Sequence, residues 1–473
     1  MTSETQPARR SSVPPPVEQF DLVVIGAGPS GGTAAAAAAA MGQSVAIVEM
    51  ADAPGGSAVH TGRLPGETLR ECALFLASHT SRDLEGVSVR FSKEATMEGL
   101  HRRTIAIAAA EAARIRGGLE KLGVRYIHGR ARFDDTHTLR VERDGASIYV
   151  KGRYFLVSTG SGPLRPKIVP FDSPRVHDTD GIVRLAEVPG SLVILGAGII
   201  GCEYASMFAA FGSKVTLVDT RTEIMPFLDR ELVGRLLEAM ARSGITVIRG
   251  MKWDAIHAFD DLVTVDLADG RTLDTDHLLY AAGRVGHSSN LGLERIGILP
   301  DGRGYIPVDD GYRTEVQHIF AAGDVIGPPG LASTSMEQGR AAIRALFEKK
   351  HEPLTALPFG VNTIPEVSGV GETEESAKKK NLDVVIGRAD HGANARGLII
   401  GDRDGLTKLV VDRTSRKLLG VHVAGDRATE LVHIGQVAMA AGATVDVFAG
   451  MVWNYPTIAE SYANAAHDAI AKL

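Results

Sequence analysis

Apolar residues in this chain fall first into short unbroken runs and later, toward the C-terminus, into less regular ones. Leu22 to Ile25 and Val45 to Val48 are apolar throughout, as parallel strands covered on both faces are. Between them Thr33 to Met41 is an alanine-rich run of strong helix formers. The pattern predicts strand, helix, strand. Residues 99–122 read as a long helix leading into a strand at 124–127, with further strands over 129–141 and 147–157. Helix 229–243 and strand 245–249 precede an antiparallel section that runs to Leu278–Ala281, and a short strand ends near Phe320 before a helix at 334–349. From about residue 352 the style changes. There 361–371, 383–389, 397–400, 407–412 and 418–423 read as strands, and 428–441 and 457–471 as helices, an α+β region without a nucleotide motif.

The first predicted strand ends in Gly26-Ala-Gly28-Pro-Ser-Gly31, and the second in Glu49. In this context Gly26 allows the tight turn, Gly28 lets backbone approach a pyrophosphate, and Gly31 lets the helix pack on the strand. The helix N-terminus supplies N–H donors, and Glu49 accepts from a ribose 2′-OH. The unit occurs twice. Gly26 to Gly196 is a shift of 170, and at that shift Gly28 falls on Gly198, Gly31 on Gly201, Gly42 on Gly212 and Glu49 on Asp219 without a gap. Two dinucleotide sites in one chain point to a flavin and a nicotinamide that exchange hydride. A relic second site is the alternative, and both copies keep all three glycines and the acid.

Composition changes this picture little. The 473 residues suffice for two to four domains, and a net charge of −6 gives no reason to expect nucleic acid or an anionic membrane as partner. No apolar run reaches bilayer length. Residues 1–19 are polar and proline-rich and read as a disordered tail. Arg9-Arg10 is not followed by an apolar stretch, so the expectation is cytoplasmic residence. The two cysteines, Cys72 and Cys202, belong to no CxxC or metal-spaced set and read as small buried hydrophobes rather than a redox pair. No metal site is expected.

Three further stretches carry candidate chemistry. A loop runs from Asp52 through Gly55, Gly56, Ser57, Ala58, His60 and Arg63 to Glu67, with a helical pattern beginning at Thr68. Thr159-Gly160 ends a strand in small residues, as backbone passing close to a cofactor does. Asp324 stands at the carboxyl end of a strand, where an open α/β sheet places ligands; it is either a ligand to a ribityl hydroxyl or a plain helix N-cap or turn aspartate.

The two glycine units, the Gly55-Gly56 loop, Thr159-Gly160, Ala282-Gly283-Arg284, Ala322-Gly323-Asp324 and the closing Tyr455-Pro456-Thr457-x-x-Glu460 resemble, over residues 20–473, the pyridine nucleotide–disulfide oxidoreductases. The resemblance implies a glutathione reductase-like α/β fold with two Rossmann-like domains and a C-terminal α+β dimerisation domain. It divides the chain into an FAD-binding domain (20–165 and 286–350), an NAD(P)-binding domain (166–285) and an interface domain (351–473). It implies FAD and NAD(P) as cofactors and a homodimer or larger homo-oligomer. It also assigns Gly26, Gly28, Gly31, Glu49, Gly56, Ser57, Thr159, Gly160, Asp324 and Ala332 to cofactor binding, with Gly196, Gly198, Ile200, Gly201, Asp219, Arg221 and Gly283 at the nicotinamide dinucleotide.

The chain departs from that family where the disulfide is reduced. The family loop reads G-G-x-C-x-x-x-x-C-x-P-S-K, and here the cysteine positions hold Ala58 and Arg63 and the lysine position holds Glu67. Tyr455 replaces the closing histidine. Disulfide reduction is therefore not expected. Within the family, His60, Gly201-Cys202-Glu203-Tyr204-Ala205-Ser206, Thr363-Ile-Pro365-Glu366 and Asn454-Tyr455-Pro456-Thr457 resemble the soluble flavin-dependent pyridine nucleotide transhydrogenases. These need no disulfide: NADPH gives hydride to the flavin and NAD⁺ takes it back. Ala58, Arg63, Gly66 and Glu67 depart even from that group.

The expected catalytic set is Glu203, Tyr455, Glu460, Arg63 and Glu67. In relatives a lysine at position 67 pairs with the acid matching Glu203, so two carboxylates now face each other and one is raised unless a cation intervenes. Either Arg63 is that cation, or Arg63 and Glu67 are solvated. Asp219 favours NAD(H) over NADP(H), while Arg221 two residues on meets a 2′-phosphate if it swings over, so both are expected to bind, NAD(H) better. An NAD(P)H:quinone or diaphorase-type reductase, using the face vacated by the disulfide, is the rival, and a silent nucleotide-binding protein a third reading.

Overall fold

In the computed structural model, which describes residues 17–81, 93–350, 354 and 356–473, the chain divides into two compact units. The first holds Met1–Ala58, Ala110–Ser161 and Val285–Pro353. Its sheet runs in the order Arg125–His128, Val45–Glu49, Val17–Ile25, Ala146–Val157, Thr138–Arg143, Arg130–Asp135, and Ile319–Ala321 also pairs with Ala146–Val157. The strands nearest the glycine turn are parallel, with Leu22 opposite Val45 on one side and Tyr154 on the other. The last two of the path are antiparallel. The unbroken apolar runs are explained by burial on both faces: Val23 and Ile25 enter one core, Leu22 and Val24 the other. The second core also takes Ala34, Ala35 and Ala38 of the helix Pro29–Ala40.

This central strand begins at Val17 and pairs Val17–Phe20 with Tyr149–Gly152. The expected tail is therefore shorter than 1–19, since backbone hydrogen bonding continues past the last large apolar residue. Its remainder, 1–16, lies outside the described residues.

The second unit holds Val59–Ala109, Gly162–Arg284 and Leu354–Leu473. Its parallel sheet runs Thr246–Arg249, Lys214–Asp219, Ser191–Leu195, His277–Tyr280, Val176–Asp178, with the helix Ile199–Ala210 following the second glycine turn. The antiparallel section expected before residue 278 is a three-stranded sheet, Trp253–Ala258, Val263–Leu267 and Thr272–Thr275. The C-terminal part is a five-stranded antiparallel sheet, Phe359–Val361, Glu366–Gly371, Leu418–Gly425, Leu406–Asp412, Val384–Asp390, packed with the helices Ala428–Ala440 and Ser461–Ile470.

Two expectations are corrected here. The loop expected up to Glu67 is already helical, as Gly56–His60 and Arg63–Ser81. Pro65 sits in the first turn of the longer helix, where its missing N–H has no intrahelical partner to lose. Leu69 and Ala73 of this helix share a core with Cys202, Tyr204 and Phe208 of Ile199–Ala210. Val59–Ala109 falls in the second compact unit. Residues 397–400, expected as a strand, lie in the helix Ala395–Ile400. The Asn394 side chain caps its N-terminus by accepting from Arg396 N and Gly397 N, and Gly401 closes it at φ 74°.

Candidate functional site

The first cradle is built where the central strand meets its helix. Gly26 turns at φ +100°, and a Cβ there would lie 2.5 Å from the Ser158 carbonyl. At Gly31 a Cβ would stand 1.9 Å from the Gly26 oxygen, so helix and strand meet without side chains. Around Gly28 the space is open, the nearest atom to a Cβ being Gly56 Cα at 3.9 Å. No side chain caps the helix, so its first N–H groups stay free for an anion. Glu49 is buried and accepts from Ala27 N (2.7 Å) and Ala51 N (2.8 Å), which locks the glycine turn to the second strand.

The rest of this wall comes from two other segments of the same unit. Thr159 donates to His287 O (2.6 Å) and Gly160 accepts from His287 N (2.9 Å). Asp324 receives Ser335 Oγ (2.9 Å) on one oxygen and Ser161 Oγ (3.0 Å) on the other. The N-cap of the short turn Asp324–Ile326 is Gly323. The carboxylate is an acceptor held by two hydroxyls near a strand end. Ala332 opens the helix Ala332–Ile343 and Ser57 is exposed in Gly56–His60. These residues fit a flavin dinucleotide: an uncapped helix end and cleared glycines for pyrophosphate, an acid for ribose and a second acid for a polyol.

The second cradle repeats the first bond for bond. Gly196 turns at φ +108° against Ala281, a Cβ at Gly201 would be 1.8 Å from the Gly196 oxygen, and a Cβ at Gly198 would meet nothing within 4 Å. Asp219 accepts from Ala197 N (2.7 Å) and Arg221 N (2.8 Å). Here Arg221 adds a bidentate ion pair, Nε to Oδ1 at 2.9 Å and Nη2 to Oδ2 at 2.7 Å. Burial raises the Asp219 pKa, but these donors outweigh it and hold the carboxyl below its usual range. Ile200 packs against the unit's core and Gly283 turns at φ +134° beside Leu164. The open backbone and the uncapped helix fit a second dinucleotide.

The substituted loop forms a third cluster, wholly within the second unit. Arg63 Nη1 lies 3.2 Å from Glu203 Oε1, so the cation faces an acid and is not merely solvated. Glu67 is held separately: Arg70 Nη1 stands 3.3 Å away, and Asn362 Nδ2 donates to its other oxygen. Asn362 also sends its backbone N–H to Glu203 (2.7 Å), bridging the two acids. Arg70, itself buried, continues to Glu366 (2.7 Å) and the Thr363 carbonyl. Burial raises the Glu203 carboxyl above its ordinary range; Arg63 and the Asn362 amide pull it down and Glu67 pushes it up.

Asn362 and Arg70 escaped the sequence reading. Arg70 was signalled by its place one turn beyond Glu67; Asn362, from a distant segment, left no local signal. Among the described residues, no hydrogen bond or ion pair joins Tyr455 or Glu460 to this cluster. Glu460 receives Asn394 Nδ2 (3.3 Å), and Tyr455 is 74% exposed. Both cysteines are free; burial pushes the Cys202 thiol up to about 12 and raises that of Cys72, which disfavours the thiolate at each.

Residues 20–339 match the family model for pyridine nucleotide-disulphide oxidoreductase, and 357–466 the dimerisation domain of the same family. The chain belongs to this family. It is 43% identical over 97% of its length to the soluble pyridine nucleotide transhydrogenase of Mycobacterium tuberculosis, of which 98% is covered, and 36% identical to that of Colwellia psychrerythraea over 96% of this chain and 98% of that one. Among solved structures it resembles LpdA from Mycobacterium tuberculosis (TM-score 0.88, 27% identity, 95% of this chain and 99% of that one). The HOCl-induced flavoprotein disulfide reductase of Escherichia coli gives a TM-score of 0.85 at 28% identity, over 95% of this chain and 99% of that one. The family therefore supplies the glutathione reductase-like architecture.

Proposed function

We propose that this protein is an FAD-dependent oxidoreductase that moves hydride between NADPH and NAD⁺ through the flavin. One observation carries the reading: two cradles with the same hydrogen bonds stand in one chain whose redox-loop positions hold Ala58 and Arg63. Bound FAD supplies a two-electron carrier that accepts hydride from one nicotinamide and returns it to another. The chain's own part is to hold each pyrophosphate on an uncapped helix end, each ribose on Glu49 or Asp219, and the flavin polyol on Asp324. Gly26, Gly28, Gly31, Gly56, Ser57, Thr159, Gly160 and Ala332 form the flavin wall in this proposal; Gly196, Gly198, Ile200, Gly201, Arg221 and Gly283 form the nicotinamide one. Arg63 pairs with Glu203 where a lysine serves in relatives, and Glu67 is carried by Arg70 and Asn362.

The interface domain (351–473) joins two copies in this proposal. Tyr455 and Glu460 serve across that interface, and the 74% exposure of Tyr455 in the single chain supports this. Among the described residues no helix is long and apolar enough to cross a membrane. We place the protein in the cytoplasm, where two unpaired thiols are the ordinary state.

Anaerobic mixing with NADPH, then thio-NAD⁺, tests the reaction. The expected result is flavin bleaching followed by thio-NADH formation at catalytic rates. Bleaching without transfer, together with rapid menadione reduction, would overturn it in favour of a quinone reductase. That second reading draws on Arg63, whose side chain is 41% exposed at a position the family gives to cysteine.

A further inference from the structure

The two cradles differ at one chemically decisive position. In the first repeat Glu49 is held, among the described residues, by two backbone amides, and the residue two places on is Ala51. Each carboxylate oxygen keeps a lone pair for a ribose hydroxyl. In the second repeat the equivalent residue is Arg221, and its fork closes on Asp219 in addition to the same two amides. A carboxylate has about four acceptor sites, and Asp219 has a donor at every one: two on Oδ1 and two on Oδ2. The acid is buried while the Arg221 side chain is 51% exposed, so the arginine is the partner free to move.

We propose that Arg221 is a swinging latch on the ribose pocket of the second cradle, and that it lets one site take both 2′-hydroxyl and 2′-phosphate dinucleotides. The inference rests on the reading of this cradle as the nicotinamide dinucleotide site. A 2′-hydroxyl needs a free lone pair on Asp219, so the fork must release at least one bond when NAD(H) enters. A 2′-phosphate instead takes the fork itself, because a planar guanidinium matches phosphate as well as it matches carboxylate. With Arg221 turned to the phosphate, Asp219 keeps its two amide donors and faces the ligand across a cation. The usual repulsion of a 2′-phosphate by this acid is thereby offset, and the usual advantage of the hydroxyl is reduced by the latch it must open. Without the arginine the second pocket becomes chemically like the first, which suits an unphosphorylated ribose.

Wild-type protein, Arg221→Ala and Arg221→Lys are titrated with NADH, NADPH, ADP and adenosine 2′,5′-bisphosphate. Arg221→Ala is expected to weaken NADPH and the bisphosphate by about tenfold or more, the size of a lost charge-assisted pair. NADH and ADP bind as tightly as before or more tightly. Arg221→Lys falls between, since it keeps the charge and loses the fork. Equal weakening of both classes, or an unchanged NADPH affinity, overturns the latch. The fragments need no hydride transfer, which separates the two ideas. A protein that shows this preference yet fails to reduce thio-NAD⁺ overturns the reaction and keeps the latch. A protein that transfers hydride with an unchanged preference in Arg221→Ala does the reverse.

Discussion

Among single residues, Arg63 has the clearest physical consequence. Glu203 is held above the ordinary carboxylate range by burial, with Arg63 the strongest opposing influence. A raised acid contributes stability that is complete below its unfolded pKa and is lost as pH rises through the folded value. Arg63→Met removes a lowering influence, so the folded value moves higher and more stability is lost by neutral pH. Since Arg63 is partly exposed, the expected loss is about 1–2 kcal/mol near pH 8 and close to none near pH 4.5, read by urea unfolding. Adding Glu203→Gln should remove the pH dependence; an equal loss at both pH values would contradict the account. The sequence exposed this pair because both residues fall on family motif positions. It did not expose Asn362, whose backbone N–H and side-chain amide reach two different acids only after the chain has folded.

At the scale of elements, the glycines of one turn separate by what a methyl group would meet. Gly201→Ala drives a Cβ into the Gly196 oxygen at 1.8 Å, so helix and strand must part, with an expected cost of about 3 kcal/mol or more. Gly198→Ala meets no protein atom within 4 Å. It should melt within a degree or so of wild type yet weaken NADH by about tenfold, because the methyl occupies the space meant for pyrophosphate. Gly28→Ala should likewise fold while losing flavin, which the flavin-to-protein absorbance ratio of purified material checks. Both cradles were legible in sequence because their spacing is local. The helix Ala395–Ile400 was misread because Leu398, Ile399 and Ile400 mimic a strand, although Asn394 and Gly401 mark its two ends. Apolar content outweighed capping there, and Leu398 and Ile399 in fact lie exposed.

Another element-scale device left no mark in the periodicity. Lys408, buried in the strand Leu406–Asp412, binds Asp229 (2.9 Å), Glu231 (3.0 Å) and Glu374 (2.8 Å), tying the N-termini of helices Arg230–Arg242 and Glu374–Lys379 to the sheet. Burial lowers the Lys408 pKa, but the acids outweigh it and hold the ammonium above its usual range. Lys408 therefore contributes stability that is complete below the unfolded lysine pKa and lost as pH climbs through the folded one. Burial likewise raises Asp229, which Lys408 outweighs, so Asp229 contributes above its unfolded pKa and loses that contribution as pH falls through the folded value. Lys408→Met strands a fully buried carboxylate and should cost about 3–5 kcal/mol near neutral pH by chemical denaturation. Adding Asp229→Asn should recover part of it.

For the molecule as a whole, the question is what covers the apolar side chains that one chain leaves in water. In the C-terminal segment Val437 is 69% exposed and Val452 97%, alongside Tyr455, and this segment matches the family's dimerisation domain. In the proposed homodimer a second copy is the occupant. Val452→Asp, alone or with Val437→Glu, should then shift the protein from dimer to monomer in sedimentation, since a charge desolvated in an interface costs several kcal/mol. Both positions are solvent-exposed in the single chain, so the monomer should keep its fold and its circular dichroism. Transhydrogenation should fall together with the dimer fraction if Tyr455 and Glu460 act across the interface, and flavin content should fall less. A monomeric variant with full turnover would remove Tyr455 from the reaction while leaving both cradles untouched.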